Sequence, residues 1–341
     1  MAQTQQAARE ADVLVIGAGV IGLSTAICLA EAGVSVSVAA AEPPEKTTSV
    51  AAGALWGPHL IGMDDRIGRW ADVTLDRLTQ LSSPALGANE LAGIMHTASG
   101  ITASGMSGGE LPEHAAGGSA APCPPGELPA GYQTGWRLTA PVIAMPGYLG
   151  YLARRLHRAG GVTAFPLAFR TLLEAHRYAP AARVIVNATG SGARDLVPDP
   201  EVVPVRGQVV VVRNPGISEF FVGTDAGQWE LTYLFPHGDV VVLGGTEQFG
   251  NASRVPDPAI AAQIIAACTA VRPEVADAPV LEHRVGLRPA RPLVRLEAEI
   301  IHAGPEDSFT VVHNYGHGGS GVTLSWGCAE DAAELVLTAL G

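Results

Sequence analysis

Residues 11–30, ADVLVIGAGVIGLSTAICLA, carry the strongest structural signal in the chain. A short apolar run from Asp12 to Ile16 reads as a strand. Then come Gly17, Ala18, Gly19, Val20, Ile21 and Gly22, followed by a helical stretch from about Ile21 to Ala32. The segment is apolar enough to resemble a membrane span, but glycines at 17, 19 and 22 are better explained by a buried strand, a tight turn and a packed helix. GxGxxG at such a junction lets the backbone come close to a pyrophosphate, and the helix N-terminus adds N–H groups and partial positive charge. Glycine-rich turns also arise for packing alone, so the strand-turn-helix setting is what points to a dinucleotide. With a further strand from Val34 to Ala39, the opening is half of a doubly wound unit.

Moving outward, the helical YLARRLHRAGG ends on a glycine stop, and RVIVNATGSGA from Arg183 reads as another strand entering a turn. Between residues 205 and 250 the pattern becomes β-rich, VRGQVVVVRN and then LTYLFPHGDVVVLGG, with PHGD as a hairpin turn. Residues 98–131 are crowded with Gly, Pro, Ala and Ser and carry no periodicity, which gives a long surface loop or equally a disordered linker. From Asp307 the α/β pattern returns as strand DSFTVVHNYG, turn HGGSG and helix VTLSWGCAEDAAELVLTAL. The expected fold is α/β, with a discontinuous Rossmann-type domain (1–57, 142–200, 296–341) and an inserted mixed or antiparallel β-sheet domain (58–141, 201–295).

Bulk properties agree with two domains, since 341 residues exceed a comfortable single core of about 100 to 200. Apolar residues make up 47% and charged residues 16%, a balance that describes an enzyme-like globule and not a disordered chain. A net charge of −12 with only 21 dispersed Lys and Arg excludes a nucleic-acid surface. Cys28, Cys123, Cys268 and Cys328 are too scattered for a zinc site or disulfide framework and read as reduced cytoplasmic thiols. MAQTQQAARE has no positive n-region, so the sequons at Asn187 and Asn251 are chance matches, and the terminal TALG is no peroxisomal address. Cytoplasm is the expected location.

Several residues are candidates for chemistry. An acidic side chain usually ends the second strand of such a unit to hold a ribose, but Ala40 stands there and Glu42 is the nearest carboxylate; a solvated loop acid before Pro43 and Pro44 is an equal reading. TTSVAAGALW brings hydroxyls at Thr47, Thr48 and Ser49 together with small residues up to Trp56. Such a stretch can lie along a cofactor, or simply form a Ser/Thr loop entering a helix. Arg288, Arg291 and Arg295 are equally available by composition, and one facing a cleft would grip a carboxylate with two charge-assisted hydrogen bonds. Tyr233 is either a strand aromatic or a hydroxyl donor to the same carboxylate. Gly316, Gly318, Gly319 and Gly321 precede a helix whose N-terminus suits an anion. His313 and His317 read as loop histidines, with no third ligand for a metal.

Taken in order, the blocks VIGAGVIGLSTA, TTSVAAGALW, VNATG, VRGQVV, TYLFPHGDVVVLGGTEQFGN, VGLRPARPLVRLE and VVHNYGHGGSGVTLSWGCA make the chain resemble the D-amino-acid oxidase family over nearly its whole length. The resemblance implies non-covalent FAD and a smaller substrate domain. It implies that Arg288 holds the substrate carboxylate, that Tyr233 assists, and that the Gly319 carbonyl receives the amine. Gly17 to Gly22, Glu42, Thr47, Thr48, Gly53, Ala54, Trp56, Thr189, Gly190, Gly316, Gly318, Ser320, Gly321 and Val322 fall on cofactor-lining or pocket positions, and Thr323 on a contact to the flavin pyrimidine. Trp229 stands where some members carry a pocket-covering tyrosine and Ser320 interrupts the glycine turn, so the side-chain pocket departs from the family pattern. Ala40 is compatible with members that defer the acid by two positions.

The implied reaction is oxidative deamination of neutral D-amino acids, by hydride transfer from the α-carbon to flavin N5, giving 2-oxo acid, ammonia and hydrogen peroxide. A D-aspartate or glycine oxidase on the same core is the near alternative, with Arg213 or His237 as the extra cation an acidic substrate needs. A dehydrogenase passing electrons to a quinone or partner protein is the alternative of a different class. The expected partners are a small D-amino acid and oxygen, with no nucleic acid, membrane or metal, and a homodimer is left open.

Overall fold

Strand Val13–Ile16 lies inside a six-stranded sheet, parallel to Val36–Ala39 on one side and Val184–Asn187 on the other. The computed structural model describes residues 6, 8–57, 59, 61–62, 64–82, 90–106, 120–224, 231–305 and 307–341. The sheet runs Arg295–His302, Ser308–Tyr315, Val184–Asn187, Val13–Ile16, Val36–Ala39, Val162–Ala164, and only the Arg295–His302 edge is antiparallel. All residues of the strands at 13, 36 and 184 are buried, the condition of a parallel sheet covered on both faces. Helices Val20–Glu31, Met145–Arg158, Gly321–Leu340 and Asp65–Ser82 pack into one apolar core that includes Trp70, Tyr148 and Trp326. Gly327 faces the backbone of Trp70, where a Cβ would sit 2.4 Å from its Cα, and Trp70 Nε1 donates to Asp331 at 2.7 Å.

The second sheet has nine strands among the described residues. Its spine is Val203–Arg213, Val240–Gly244, Leu231–His237, Phe220–Thr224, Met95–Ser104 and Thr134–Ile143, with Val280–Ala290 antiparallel to Val203–Arg213. His237 pairs with Val240 across a two-residue loop in which Gly238 takes φ 63°, so the PHGD hairpin forms as expected. Helix Pro258–Val271 covers one face, with Asp257 accepting from the Ala259 and Ile260 amides as its N-cap. Among the described residues no helix is long and apolar enough to cross a membrane.

Part of the expected loop at 98–131 is sheet. Met95–Ser104 pairs over its full length with Thr134–Ile143 and runs parallel to Phe220–Thr224. Its small residues are a packing requirement, since a Cβ on Gly100 would meet the Phe220 ring at 2.3 Å. Residues 107–119 of that expectation lie outside the described residues. The four cysteines are free.

Candidate active site

The end of strand Val13–Ile16 and the start of helix Val20–Glu31 open into a cavity of about 380 Å³, within the usual range for small-ligand sites. Gly17, Ala18, Gly19, Val20 and Ile21 line it. Gly17 adopts φ 118°, and a Cβ there would meet the Ala188 carbonyl oxygen at 2.3 Å. Gly22 does not line the cavity; it lets the helix sit on the turn, since a Cβ would fall 2.0 Å from the Gly17 carbonyl oxygen. The N-cap Gly19 supplies no side-chain cap and the first turn has no acidic residue, so the first-turn N–H groups other than that of Val20 stay available for an anion. Ser49 Oγ accepts from the Val20 amide at 3.0 Å.

Glu42, Thr47, Thr48, Thr189 and Gly190 also line the cavity. Glu42 is paired with Arg254, whose Nη1 donates at 2.7 Å and whose Nη2 donates to the Lys46 carbonyl at 2.6 Å. Arg254 is itself a lining residue that sequence reading missed, because 212 positions separate it from Glu42. Leu167, Ala168 and Phe169 were missed for the same reason: they reach the cavity only through the parallel pairing of Val162–Ala164 with Val36–Ala39.

At the other end, strand Val280–Ala290 brings Arg288 into the cavity. Of the three clustered arginines, Arg291 is taken up by Asp199 and Glu201, and Arg295 by Glu297, Glu299 and the Tyr315 hydroxyl. Arg288 instead donates from Nη1 to the Thr246 carbonyl at 2.8 Å, with no carboxylate bridging to it among the described residues. Its guanidinium lies flat over Gly207, where a Cβ would fall 2.5 Å from Nη1. Tyr233 stacks on Phe235 with ring centroids 4.6 Å apart and is buried beside Arg288. Burial raises its phenol pKa, while the Arg288 charge and hydrogen bond pull the other way.

The C-terminal turn closes the site. Gly318, Gly319, Gly321 and Val322 line the cavity, as does His317. His317 is 2% exposed with Nε2 unpartnered, and burial pushes its pKa down to about 3, so its imidazole is neutral. His313 sits in strand Ser308–Tyr315, not in a loop, with Nε2 3.0 Å from Glu299. Gly319 N donates to the His59 carbonyl at 3.1 Å, and Ser320 Oγ donates to it at 2.8 Å and accepts from the His59 amide at 2.6 Å. The His59 ring reaches across to Glu247, with Nε2 2.6 Å from Oε1.

Six further expected cofactor or pocket residues stand off the lining. Gly53 packs under Phe235, where a Cβ would be 2.5 Å from the ring, and Ala54, at φ 56°, accepts from the Ile143 amide at 3.0 Å. Trp56 is buried and its amide donates to Pro141. Ser320 is spent on His59, Thr323 Oγ1 donates to the Gly57 carbonyl at 2.9 Å, and Gly316 packs on Arg291. Trp229 lies outside the described residues. The two cations considered for an acidic substrate are both remote from Arg288. Arg213 and His237 meet at the hairpin end through Val240, four residues or about 13 Å along the strand from Tyr233.

Sheet order, glycine cradle and adjoining cleft define the class, a two-sheet protein built around a dinucleotide. The chain belongs to the FAD dependent oxidoreductase (DAO) family, whose model matches residues 12–335. It is 44% identical over 331 residues to a D-amino-acid oxidase of Rubrobacter xylanophilus, covering 97% of each chain. To a D-amino-acid oxidase of Streptomyces coelicolor it is 45% identical over 329 residues, covering 96% of this chain and 97% of the other. The solved glycine oxidase of Geobacillus kaustophilus shares the fold, with a TM-score of 0.77 at 19% identity over 96% of this chain and 95% of that one. FAD is the cofactor, and the uncapped helix N-terminus, the glycine cradle and the unpartnered His317 Nε2 fit such a group.

Proposed function

We propose that this chain oxidises neutral D-amino acids to imino acids, which water converts to 2-oxo acid and ammonia, with oxygen reduced to hydrogen peroxide. The observation that carries the reading is that Arg288, free of any carboxylate among the described residues and adjoined by Tyr233, opens on the same cavity as the glycine cradle. Helix N-terminus Val20–Glu31 and the Thr47 and Thr48 hydroxyls hold the cofactor phosphates non-covalently, and Glu42 with Arg254 holds the ribose end. The six-stranded sheet and its helices form the cofactor domain, and the nine-stranded sheet forms the substrate domain of a cytoplasmic enzyme.

Bound FAD supplies the acceptor for the α-hydrogen and its electron pair. Arg288 binds the substrate carboxylate in two parallel hydrogen bonds and the Tyr233 hydroxyl donates a third, which fixes the α-carbon's orientation and hence the handedness selected. The Gly319 carbonyl accepts from the neutral amine, whose lone pair forms the C=N bond as the hydride leaves. No side chain need remove a proton from carbon.

The test is an anaerobic absorbance titration of the yellow holoenzyme. D-Alanine bleaches the flavin band and L-alanine does not; in air the D-alanine reaction yields hydrogen peroxide. Bleaching by the L-enantiomer alone would falsify the assignment, and electron delivery to a quinone without peroxide would reassign the enzyme as a dehydrogenase.

A further inference from the structure

Glu247 is a carboxylate in an unusual place. It follows Thr246, whose carbonyl holds the Arg288 guanidinium, and its side chain is only 16% exposed. Its charge acts on both members of the carboxylate-gripping pair, Arg288 and Tyr233, and Arg288 acts back on it. A buried acid beside a guanidinium would ordinarily close on it as a salt bridge. Here it does not: Arg288 turns to the Thr246 carbonyl and Glu247 turns to His59, leaving the guanidinium open to an incoming anion.

His59 is built for that task. Its backbone is fastened to the C-terminal turn by the Gly319 amide and by both functions of the Ser320 hydroxyl, and a Cβ on Gly319 would collide with its ring at 2.5 Å. From this anchored position its ring reaches the second sheet, which carries Glu247 on the segment between strands Val240–Gly244 and Gln248–Phe249. Burial works to raise the Glu247 carboxyl, yet His59 and the Arg288 charge outweigh it and hold the group below its ordinary range, hence ionised. An ionised carboxylate therefore stands one residue from the carbonyl that holds the Arg288 guanidinium. Neither Arg213 nor His237 is near enough to offset it.

Resting on the reaction proposed above, we infer that Glu247, held by His59, sets the charge preference for the substrate side chain, admitting neutral and cationic D-amino acids and turning away those with a side-chain carboxylate. A second carboxylate on the substrate meets a like charge in a site of low dielectric, and a side-chain ammonium there finds a partner. Glu247 acts on the side chain through its charge, and His59 is a positioning residue that fixes where the carboxylate lies.

The test is kcat/KM for D-lysine and D-glutamate, measured with the holoenzyme and with Glu247→Gln and His59→Gln. The lysine-to-glutamate ratio is internal to each protein, so partial loss of folded enzyme cancels. The wild type favours lysine by at least about 10-fold, Glu247→Gln lowers the ratio by about 10-fold, and His59→Gln, which keeps the carboxylate but removes the ring that positions it, lowers it less. Glu247→Gln changes charge at nearly constant shape, which separates a charge effect from general damage. A ratio unmoved in Glu247→Gln, or a wild type that prefers D-glutamate, overturns the inference. D-Alanine is the control: if the wild type fails to oxidise it the proposed activity itself fails, whereas oxidation of D-alanine with an unmoved ratio sinks only the role of Glu247.

Discussion

Three arginines within eight positions have the same chemistry, and their neighbours give them different work. Arg291 and Arg295 are each bound to two carboxylates, which occupy their guanidinium groups. Arg288 is held by the Thr246 carbonyl and the Tyr233 phenol, with no carboxylate bridging to it among the described residues, and lies across Gly207, so a planar anion can take the remaining donors. On the proposed role, Arg288→Ala removes the carboxylate's bidentate partner, a loss of about 3 to 5 kcal/mol, and KM for D-alanine rises at least about 100-fold while the flavin spectrum persists. Steady-state kinetics alongside an absorbance scan check this; a KM within a few-fold of wild type removes Arg288 from the carboxylate site. Composition alone gave no way to choose among the three, because Asp199 and Glu201, which take up Arg291, lie 92 and 90 positions away and only the fold brings them to it.

At the scale of elements, the nucleotide-binding opening was readable because each local signal agreed with the tertiary one. Buried strand, glycine turn and helix all fall where residues 11–30 place them, with boundaries shifted by a residue or two. Strand Met95–Ser104 was not readable, since the Phe220 ring requires glycine where strand propensity would ask for a branched residue. Helix Asp65–Ser82 carries a legible pattern, with Ile67, Trp70, Ala71, Thr74, Leu78 and Leu81 buried at helical spacing, whereas the His59–Glu247 bridge joins remote parts of the chain and leaves none. The same packing logic predicts the cost of altering the glycine turn. In Gly22→Ala the new methyl faces the Gly17 carbonyl, which is backbone and cannot swing away, so the helix must lift from the turn. Overpacking of this kind costs about 1 to 3 kcal/mol, and because it displaces the phosphate-binding amides, FAD affinity falls by at least about 10-fold. Titrating apoprotein with FAD by flavin fluorescence measures this directly, and an unchanged affinity refutes the packing account.

Over the whole molecule, buried imidazoles tie stability to pH. Burial pushes His317 down to about 3, and His237 down to about 4 with help from the nearby His96. Unfolded, both take up a proton near 6.5; folded, they stay neutral until far lower pH. Their contribution is therefore intact above about pH 6.5 and is lost progressively as pH falls toward 3 to 4, in the same direction as the depressed carboxylates Asp199, Asp331 and Glu247. Each proton taken up on unfolding steepens the decline by about 1.4 kcal/mol per pH unit. Urea unfolding of the holoenzyme from pH 7.5 to 4.5 should show stability dropping with acid, and the His317→Leu variant should show a shallower slope by about one proton over that range. Because Leu fills much of the ring's volume and leaves no unpartnered buried nitrogen, the variant should match or exceed wild type at pH 5 even if it is weaker at pH 7.5. Parallel curves for the two proteins would mean that the imidazole is protonated, or hydrogen-bonded by the bound cofactor, well above the value its burial dictates.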